Sequence, residues 1–262
     1  MLKDNYLPVT EDGEVRALLR RLPLAVDVES FSRFVLGFPR KYLTSTSPVE
    51  IVKHFALVES LGPRSVISSI SRDTHLWRMC VVARERSSLF ARIAGTLSCF
   101  GMNIVNAEAF ANANSLVLDT FGFTDPQAHF EEDGQRRRFQ VFLEDVVDGK
   151  ADVEAALQRH PEAGRPPAGP LSVKWDGDAH PTATLMVLGG QDRFGLLYRV
   201  SRSLSESGCS IEMAYIDTVG GEVRDKFYLA RAGNKLTPDE QQEITARLEA
   251  LTDSPHTTTP AA

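Results

Sequence analysis

Two kinds of hydrophobic spacing divide the chain near residue 70. Before that point, apolar residues recur at intervals of three and four, as from Glu11 to Leu22, which is the spacing of one face of an α-helix. The stretch Ser47-Pro48-Val49-Glu50 has the composition of a helix start: a capping serine, a proline at the first helical position, and a glutamate three residues after the serine. We therefore predict a helical N-terminal segment over residues 1–70.

After about residue 74 the chain repeats itself. The stretch that begins at Leu76 aligns without gaps on the stretch that begins at Ala183, an offset of 107 residues, and one later deletion aligns Asp119 with Asp225. Each copy has the pattern of a strand, a short loop, an amphipathic helix closed by glycine, a two-stranded hairpin and a further helix. The identities include Met79 with Met186, Arg86 with Arg193, Leu97 with Leu204, and Gly101 with Gly208.

The repeat sets the predicted domain boundaries and an α+β fold class. We predict a first βαββα-type module over residues 74–160, a linker with an extra edge strand over 161–181, a second module over 182–251 and a disordered tail over 252–262. The edge strand is expected at Leu171–Trp175. Each module is an antiparallel sheet with helices on one face, and the two sheets pack side by side or pair edge to edge, because exposed edge strands need covering. The same need favours a homodimer.

Composition excludes several classes of function. The net charge of −6 argues against nucleic acid as a partner, and no apolar run approaches the ~18 residues that span a bilayer, so no membrane is expected. Three widely spaced cysteines, Cys80, Cys99 and Cys209, form no Cys-x-x-Cys pair, which argues against a metal site and a disulfide framework. With no apolar signal segment at the N-terminus, we expect a cytoplasmic protein without a cofactor.

The first loop of the second copy, Asp192-Arg193-Phe194-Gly195-Leu196-Leu197, lies in a strand–loop–helix–strand–strand–helix unit and resembles the ACT domain family. Residues 38–58, Leu118–Phe121 and Val223–Tyr228 resemble the protein-PII uridylyltransferase/uridylyl-removing enzyme family, and that resemblance extends over about residues 38–251. It implies two ferredoxin-like ACT modules that sense an amino acid, with glutamine favoured. It further implies that the modules act on a partner protein in nitrogen metabolism; the sequence does not identify that partner.

In that family the catalytic activities reside upstream of the paired ACT domains, and their motifs are not found in this sequence. A nucleotidyltransferase of this class needs an Asp-x-Asp pair after a Gly-Ser turn, and the hydrolytic activity needs a His-Asp dipeptide; none of the six histidines precedes an aspartate. We therefore expect no catalytic residue. Three interpretations follow: an amino-acid sensor without its own enzyme, a truncated or divergent uridylyltransferase, and a scaffold that binds proteins but no ligand.

The resemblance places the ligand where the loop of one copy meets the start of the other copy's second strand. Gly195 allows close backbone approach, and the helix after it offers unpaired N–H groups to a carboxylate. Asp192 meets an ammonium group or braces the loop, and Arg193 pairs with a carboxylate or is solvated. The alternative is that Asp192 only caps the helix and Gly195 only permits the turn. The predicted ligand-binding residues are Asp192, Arg193, Phe194, Gly195, Leu196, Asn103, Ile104, Ser210 and Ile211.

The first copy departs from this loop pattern, with serine in place of the glycine. A side chain at Ser88 is expected to narrow the backbone approach, so we predict a weaker or empty second site. That site comprises Glu85, Arg86, Ser87, Ser88 and Leu89. Asp119 and Asp225, at matching places in the two copies, are interpreted as a shared structural feature rather than a catalytic pair.

Overall fold

The computed structural model describes residues 8–10, 12–22, 26–84, 86–112, 114–164 and 169–253. Glu85 and most of the predicted tail therefore lie outside the described residues. Within the described ranges, no helix is both long enough and apolar enough to cross a membrane.

The N-terminal segment forms four helices around an aromatic cluster. Helix α4 begins as predicted, because the Glu50 amide donates a 3.2 Å hydrogen bond to the Ser47 hydroxyl. Phe31, Phe34 and Phe55 pack their rings within 5.3–6.0 Å of one another. The helices are α1 (Asp12–Leu19), α2 (Val28–Val35), α3 (Arg40–Ser45) and α4 (Pro48–Glu59).

The predicted helical segment is wrong at its C-terminal end, where Val66–Asp73 forms strand β1. This strand pairs antiparallel with β2 (Leu76–Arg84), from Val66 opposite Ala83 to Asp73 opposite Leu76. Its β-branched residues are shared between the two faces of the sheet, and Val66 is fully buried. The pairing satisfies the backbone groups along one edge of β2, which outweighs any helical preference of this short segment.

Each module has the predicted βαββα order, which confirms the α+β fold class with two ferredoxin-like modules. In each, the strand that precedes the repeat completes a four-stranded sheet; the predicted edge strand of the second module is β5. The first module contains β2, α5 (Leu89–Cys99), β3 (Asn103–Ala111), β4 (Leu116–Thr124), α6 (Asp133–Val147) and α7 (Val153–Gln158). The second contains β5 (Ser172–Asp176), β6 (Thr184–Gln191), α8 (Leu196–Glu206), β7 (Cys209–Val219), β8 (Glu222–Arg231) and α9 (Pro238–Asp253).

The two four-stranded sheets join edge to edge into one eight-stranded sheet. The strand order is β1-β2-β4-β3-β7-β8-β6-β5, and β3 pairs antiparallel with β7. Glu108 lies opposite Tyr215, which is also its equivalent at the repeat offset of 107. A local two-fold axis therefore passes through this pair, and the edge-to-edge arrangement is the one that covers the two inner edges within a single chain.

Both faces of the sheet are covered near its centre. The module helices pack on one face over a core that includes the equivalent residues Phe121 and Phe227. The N-terminal helices pack on the other face over Val82, Phe110 and Leu118 of the first module and over Met213 and Tyr228 of the second. The sequence pattern did not predict this second layer, which spans both modules.

Candidate functional site

The loops between the first strand and the first helix of the two modules have the same backbone conformation. Gly195 has φ +69° and Ser88 has φ +60°, and each directly precedes a helix. Glycine reaches this left-handed region without cost, whereas serine does so with some strain. Neither helix receives a side-chain cap from these residues. The first amide of each helix, that of Leu89 or Leu196, donates to the carbonyl of Arg86 or Arg193, so the next N–H groups of the first turn are the ones that suit an anion.

The contact between α5 and α8 places each of these loops beside the other module. The Ser88 hydroxyl lies 2.7 Å from the Ser205 hydroxyl near the end of α8, so the two helices run in opposite directions. Gly95 lets them approach closely, since a Cβ atom at that position would lie 2.7 Å from Cδ2 of Tyr198. The equivalents of this serine pair are Gly195 and Ser98, which line one cavity. Gly195 has no hydroxyl group, and the Ser98 hydroxyl donates to the Ala94 carbonyl at 3.1 Å.

The loop of the second module and the helix end and second strand of the first module enclose a cavity of about 380 Å³, here called the Gly195 cavity. His160 at the end of the first module and Glu162 of the linker also line it, and the His160 ring stacks on Phe194 with centroids 4.3 Å apart. Its other lining residues include Ser98, Asn103, Ile104, Asp192, Arg193, Gly195, Leu196, Thr218 and Asp225.

Two carboxyl groups make the Gly195 cavity acidic. Burial raises the pKa of Asp225 to about 7, opposed by a 3.2 Å hydrogen bond that it accepts from the Asp217 amide and reinforced by the nearby Asp192. Burial also raises the pKa of Asp192, and the Arg193 amide, which donates to its carboxylate at 2.8 Å, opposes that shift. The cavity therefore favours a ligand with a positively charged group.

Arg193 is half-buried, and part of its guanidinium is held by the protein. Its Nη2 donates to the Leu251 carbonyl at the end of α9, 3.2 Å away, and its Nε is buried without a partner among the described residues. Arg86 makes the equivalent contact in the first module, donating to the Val147 carbonyl at 3.3 Å. Both arginines therefore tie their loop to the C-terminal end of the helix that follows the hairpin, α6 or α9, where a cation is favoured by the helix dipole.

A second cavity, of about 530 Å³, lies on the other side of the two-fold axis and is here called the Ser88 cavity. The loop of the first module and the helix end and second strand of the second module enclose it. Asp119, the equivalent of Asp225, lies at its floor and is fully buried. Burial raises the pKa of Asp119 well above its usual value of 3.8. Other lining residues include Arg86, Ser87, Ser88, Leu89, Ser201, Ser205, Cys209, Ser210 and Ile211.

The predicted ligand-binding residues thus fall into two groups. The Gly195 cavity contains the seven taken from the second loop and from Asn103-Ile104, whereas Ser210 and Ile211 line the Ser88 cavity with the predicted weaker set. Glu85 lies outside the described residues. Asp192 does not cap α8, because Gly195 occupies the cap position, and it braces its own loop.

Sequence reasoning missed the cavity-facing role of Asp119 and Asp225. The signal was present: the alignment of the two copies places an aspartate at the same position of the third repeat strand in each, Asp119 and Asp225. Sequence reasoning also missed Ser98 and His160, since nothing local indicates that the chain after α7 returns to the second module's loop.

A larger groove, of about 1020 Å³, lies on the opposite face of the sheet beside α4. Its charged residues are mostly paired with one another, as Lys53 is with Glu50 and Arg78 with Asp73. His54 accepts or donates a 3.0 Å hydrogen bond with the Tyr42 hydroxyl, and burial lowers its pKa to about 4. Among the described residues, no cluster of three or more His, Cys, Asp or Glu could hold a metal ion.

Comparison with known proteins finds relatives that cover most of the chain. A protein of Azospirillum brasilense is 31% identical over 241 residues, and one of Gluconobacter oxydans (strain 621H) is 29% identical over 245 residues. Both are named bifunctional uridylyltransferase/uridylyl-removing enzyme. The chain is a relative of these bifunctional enzymes. This confirms the resemblance drawn from the loop and strand motifs.

The relationship covers most of this chain but a small part of its relatives. The alignments include 87% and 88% of the chain, whereas the chain spans 26% of the length of each relative, in the C-terminal part. No protein-family model matches the chain. Among solved structures, an aspartate kinase from Synechocystis aligns with 95% of the chain and 40% of its own length, at a TM-score of 0.39 and 13% identity.

Proposed function

We propose that this chain is a regulatory amino-acid-binding protein and that the Gly195 cavity is its ligand site. The observation that carries the proposal is the meeting, in one cavity, of a helix start without a side-chain cap and two carboxyl groups, the buried Asp225 and the half-buried Asp192. An α-amino acid carries the two complementary charges, since its carboxylate suits the start of α8 and its ammonium group suits Asp192 and Asp225.

The size of the cavity supports a small ligand. A volume of about 380 Å³ lies near the lower end of the ~300–1,000 Å³ typical of small-molecule sites. Glutamine is the amino acid that the family resemblance favours. Further polar groups that line the cavity are supplied by Ser98, Asn103, Gln127 and Thr218.

A ligand in this cavity contacts both modules and the linker, which gives it a means of regulation. Binding would hold the second module's loop against Asn103 and Ile104 of the first module and against the His160–Phe194 stack. We propose that the state of this interface is read by the protein that carries uridylyl transfer or removal, the activities in the names of the relatives. In this proposal the chain contributes regulation and no catalytic residue.

The test is a thermal-shift screen of the full chain against the twenty proteinogenic amino acids. A ligand at about 100 times its Kd adds about 2.7 kcal/mol to the free energy of unfolding. We expect stabilisation by glutamine or another amino acid, and its loss in Gly195→Val. The matched control is Gly62→Val, another glycine with positive φ and open space around its Cβ position, which lines neither cavity. If no amino acid stabilises the chain, the scaffold interpretation replaces the proposal.

A further inference from the structure

The groove beside α4 lies on positions that large side chains fill in the second module. Gly122 of β4 is the equivalent of Tyr228 of β8, and Glu108 of β3 is the equivalent of Tyr215 of β7. Tyr228 is buried against the N-terminal helices, and its ring centroid lies 6.1 Å from that of Tyr215. In the first module the same two positions line an open groove of about 1020 Å³. The space therefore arises from a difference between the two copies and not from the fold that they share.

The floor of the groove consists mostly of polar side chains in register on the first module's sheet. The strand pairing places Glu108, Thr120 and Cys80 side by side in one row, and Asn106, Gly122 and Arg78 in the next. Phe110 and Leu118 form an apolar row on the other side of Glu108. An ammonium group can thus donate to the Glu108 carboxylate and to the Thr120 hydroxyl, while a hydrocarbon chain packs on the apolar row.

Glu108 carries a charge that has no partner in the part of the chain that the structure describes. The other charges of the groove are paired, Lys53 with Glu50 at 2.7 Å, Arg78 with Asp73 at 2.9 Å, and Arg72 with Glu131. Burial raises the pKa of the Glu108 carboxyl, and the charge of Lys41 on α3 opposes this shift. A half-buried carboxylate without a partner favours a ligand that brings a positive charge.

We infer that this groove binds an aliphatic amine without a carboxylate, and that Glu108 pairs with its ammonium group. A carboxylate is not favoured there, because the cations of the groove are already paired and the start of α4 is capped by Ser47. A free polyamine and the lysine side chain of a partner protein share this chemistry. The inference is independent of the amino-acid site between the modules, since the groove lies on the opposite face of the sheet.

Gly122 offers a direct way to close the groove. It lies within strand β4 and outside the left-handed region, so a side chain there adds no backbone strain. The Asn106 side chain lies over it, in the space that a Cβ atom would take, and Asn106 is exposed and can turn away. Gly122→Tyr therefore gives the first module the ring that Tyr228 supplies in the second.

The experiment titrates the full chain, labelled with ¹⁵N, with putrescine and with Nα-acetyl-L-lysinamide at about 0.15 M salt, where charges interact over ~8 Å. Amide signals of residues 106–110 and 118–121 report on the groove, and those of residues 195–198 report on the Gly195 cavity. 1,4-Butanediol is the matched probe, since it has the carbon chain of putrescine with a hydroxyl in place of each ammonium group. We expect at least one of the amines, and not the diol, to shift the groove signals.

Glu108→Gln should weaken the response of the groove signals by about 10-fold, near the lower end for losing a hydrogen-bonded charge. Glu222→Gln is the matched control, because it removes the same charge from an exposed residue of β8 outside the groove, and it should leave the response unchanged. Gly122→Tyr should abolish the response. The two groove variants are independent, so if one fails to fold the other decides.

Three results would overturn the inference: equal responses to putrescine and the diol, an undiminished response in a folded groove variant, and no response of the groove signals to either amine. A response to an amine that the groove variants lose supports it, and the amine that binds more tightly identifies the source of the ammonium group. The proposed function is tested separately, because it predicts that the 195–198 signals respond to an amino acid whether or not the groove binds an amine.

Discussion

The Gly195 and Ser88 cavities are made by equivalent elements yet differ in what they offer a ligand. In the Gly195 cavity the loop has no side chain at Gly195, two carboxyl groups influence each other, and His160 from the end of the first module stacks on the loop. In the Ser88 cavity a serine pair joins the two modules, and the carboxyl group of Asp119 has no hydrogen-bond partner in the part of the chain that the structure describes. The two modules thus share a backbone arrangement but differ in the chemical groups that line their cavities.

This comparison shows which features belong to the fold and which belong to the sites. Arg86 and Arg193 tie their loops in the same way to the end of the helix that follows the hairpin, so they belong to the scaffold. Asp119 and Asp225 occupy the same strand position, but only Asp225 accepts a backbone hydrogen bond. The two aspartates therefore distinguish the cavities. Making the same substitution at equivalent residues of the two modules will separate effects on the scaffold from effects on ligand binding.

The largest expected effect comes from Gly95, where both cavities depend on close packing of α5 and α8. A side chain there would meet Tyr198 and Val153, whose nearest atoms lie 2.7 and 2.8 Å from an added Cβ. We expect Gly95→Leu to lower the free energy of unfolding by about 2–4 kcal/mol in urea denaturation, the upper range for overpacking. Gly134→Ala, with open space around its Cβ position, should cost nothing. Equal free energies of unfolding for Gly95→Leu and Gly134→Ala would contradict this expectation, because they would show that α5 and α8 can move apart at little cost.

The next effect is the pH dependence of stability contributed by Asp225. Its folded pKa of about 7 exceeds the usual value of 3.8, so the folded state holds a proton that the unfolded state has released. Stability therefore falls as the pH rises from about 4 to about 7. Relative to Asp225→Asn, the unaltered chain should lose about 2 kcal/mol between about pH 5 and pH 7. Parallel curves for the two proteins would mean that Asp225 is hydrated or paired in solution.

A smaller effect is expected from the two loop arginines. Arg193→Ala and Arg86→Ala each remove a hydrogen bond to the end of a helix, which is worth about 1 kcal/mol of stability. Because these contacts belong to the scaffold, amino-acid affinity should change less than stability, as measured by calorimetry beside urea denaturation. A loss of affinity confined to Arg193→Ala would instead assign Arg193 to the ligand carboxylate.

The smallest effect comes from exchanging the loop residues. Gly195→Ser adds left-handed strain and should cost about 1 kcal/mol, whereas Ser88→Gly relieves that strain but loses the Ser205 hydrogen bond, so its net effect should be near zero. Thermal unfolding of both variants measures this difference. A large loss in Ser88→Gly would show that the serine pair is a principal link between the modules.

Much of the fold follows from the sequence. The helix caps and the Gly220-Gly221 turn between β7 and β8 are local signals that each act over a few residues, and the repeat gives the order of the elements in both modules. The Thr237–Glu240 cap of α9, for example, forms reciprocally in the structure. Strand β1 did not follow, since eight residues with three serines and a charged C-terminal end have weak strand character without β2 beside them. The cavity roles of Asp119 and Asp225 and the target of Arg193 depend on residues far apart in the chain, which no local pattern contains.

The central claim is that an amino acid binds between the modules, and a crystal structure of the chain with the amino acid identified by the thermal-shift screen tests it most directly. The account predicts ligand density in the Gly195 cavity, with the carboxylate at the start of α8 and the ammonium group facing Asp192 and Asp225. Density in the groove beside α4, with both cavities between the modules empty, would contradict it.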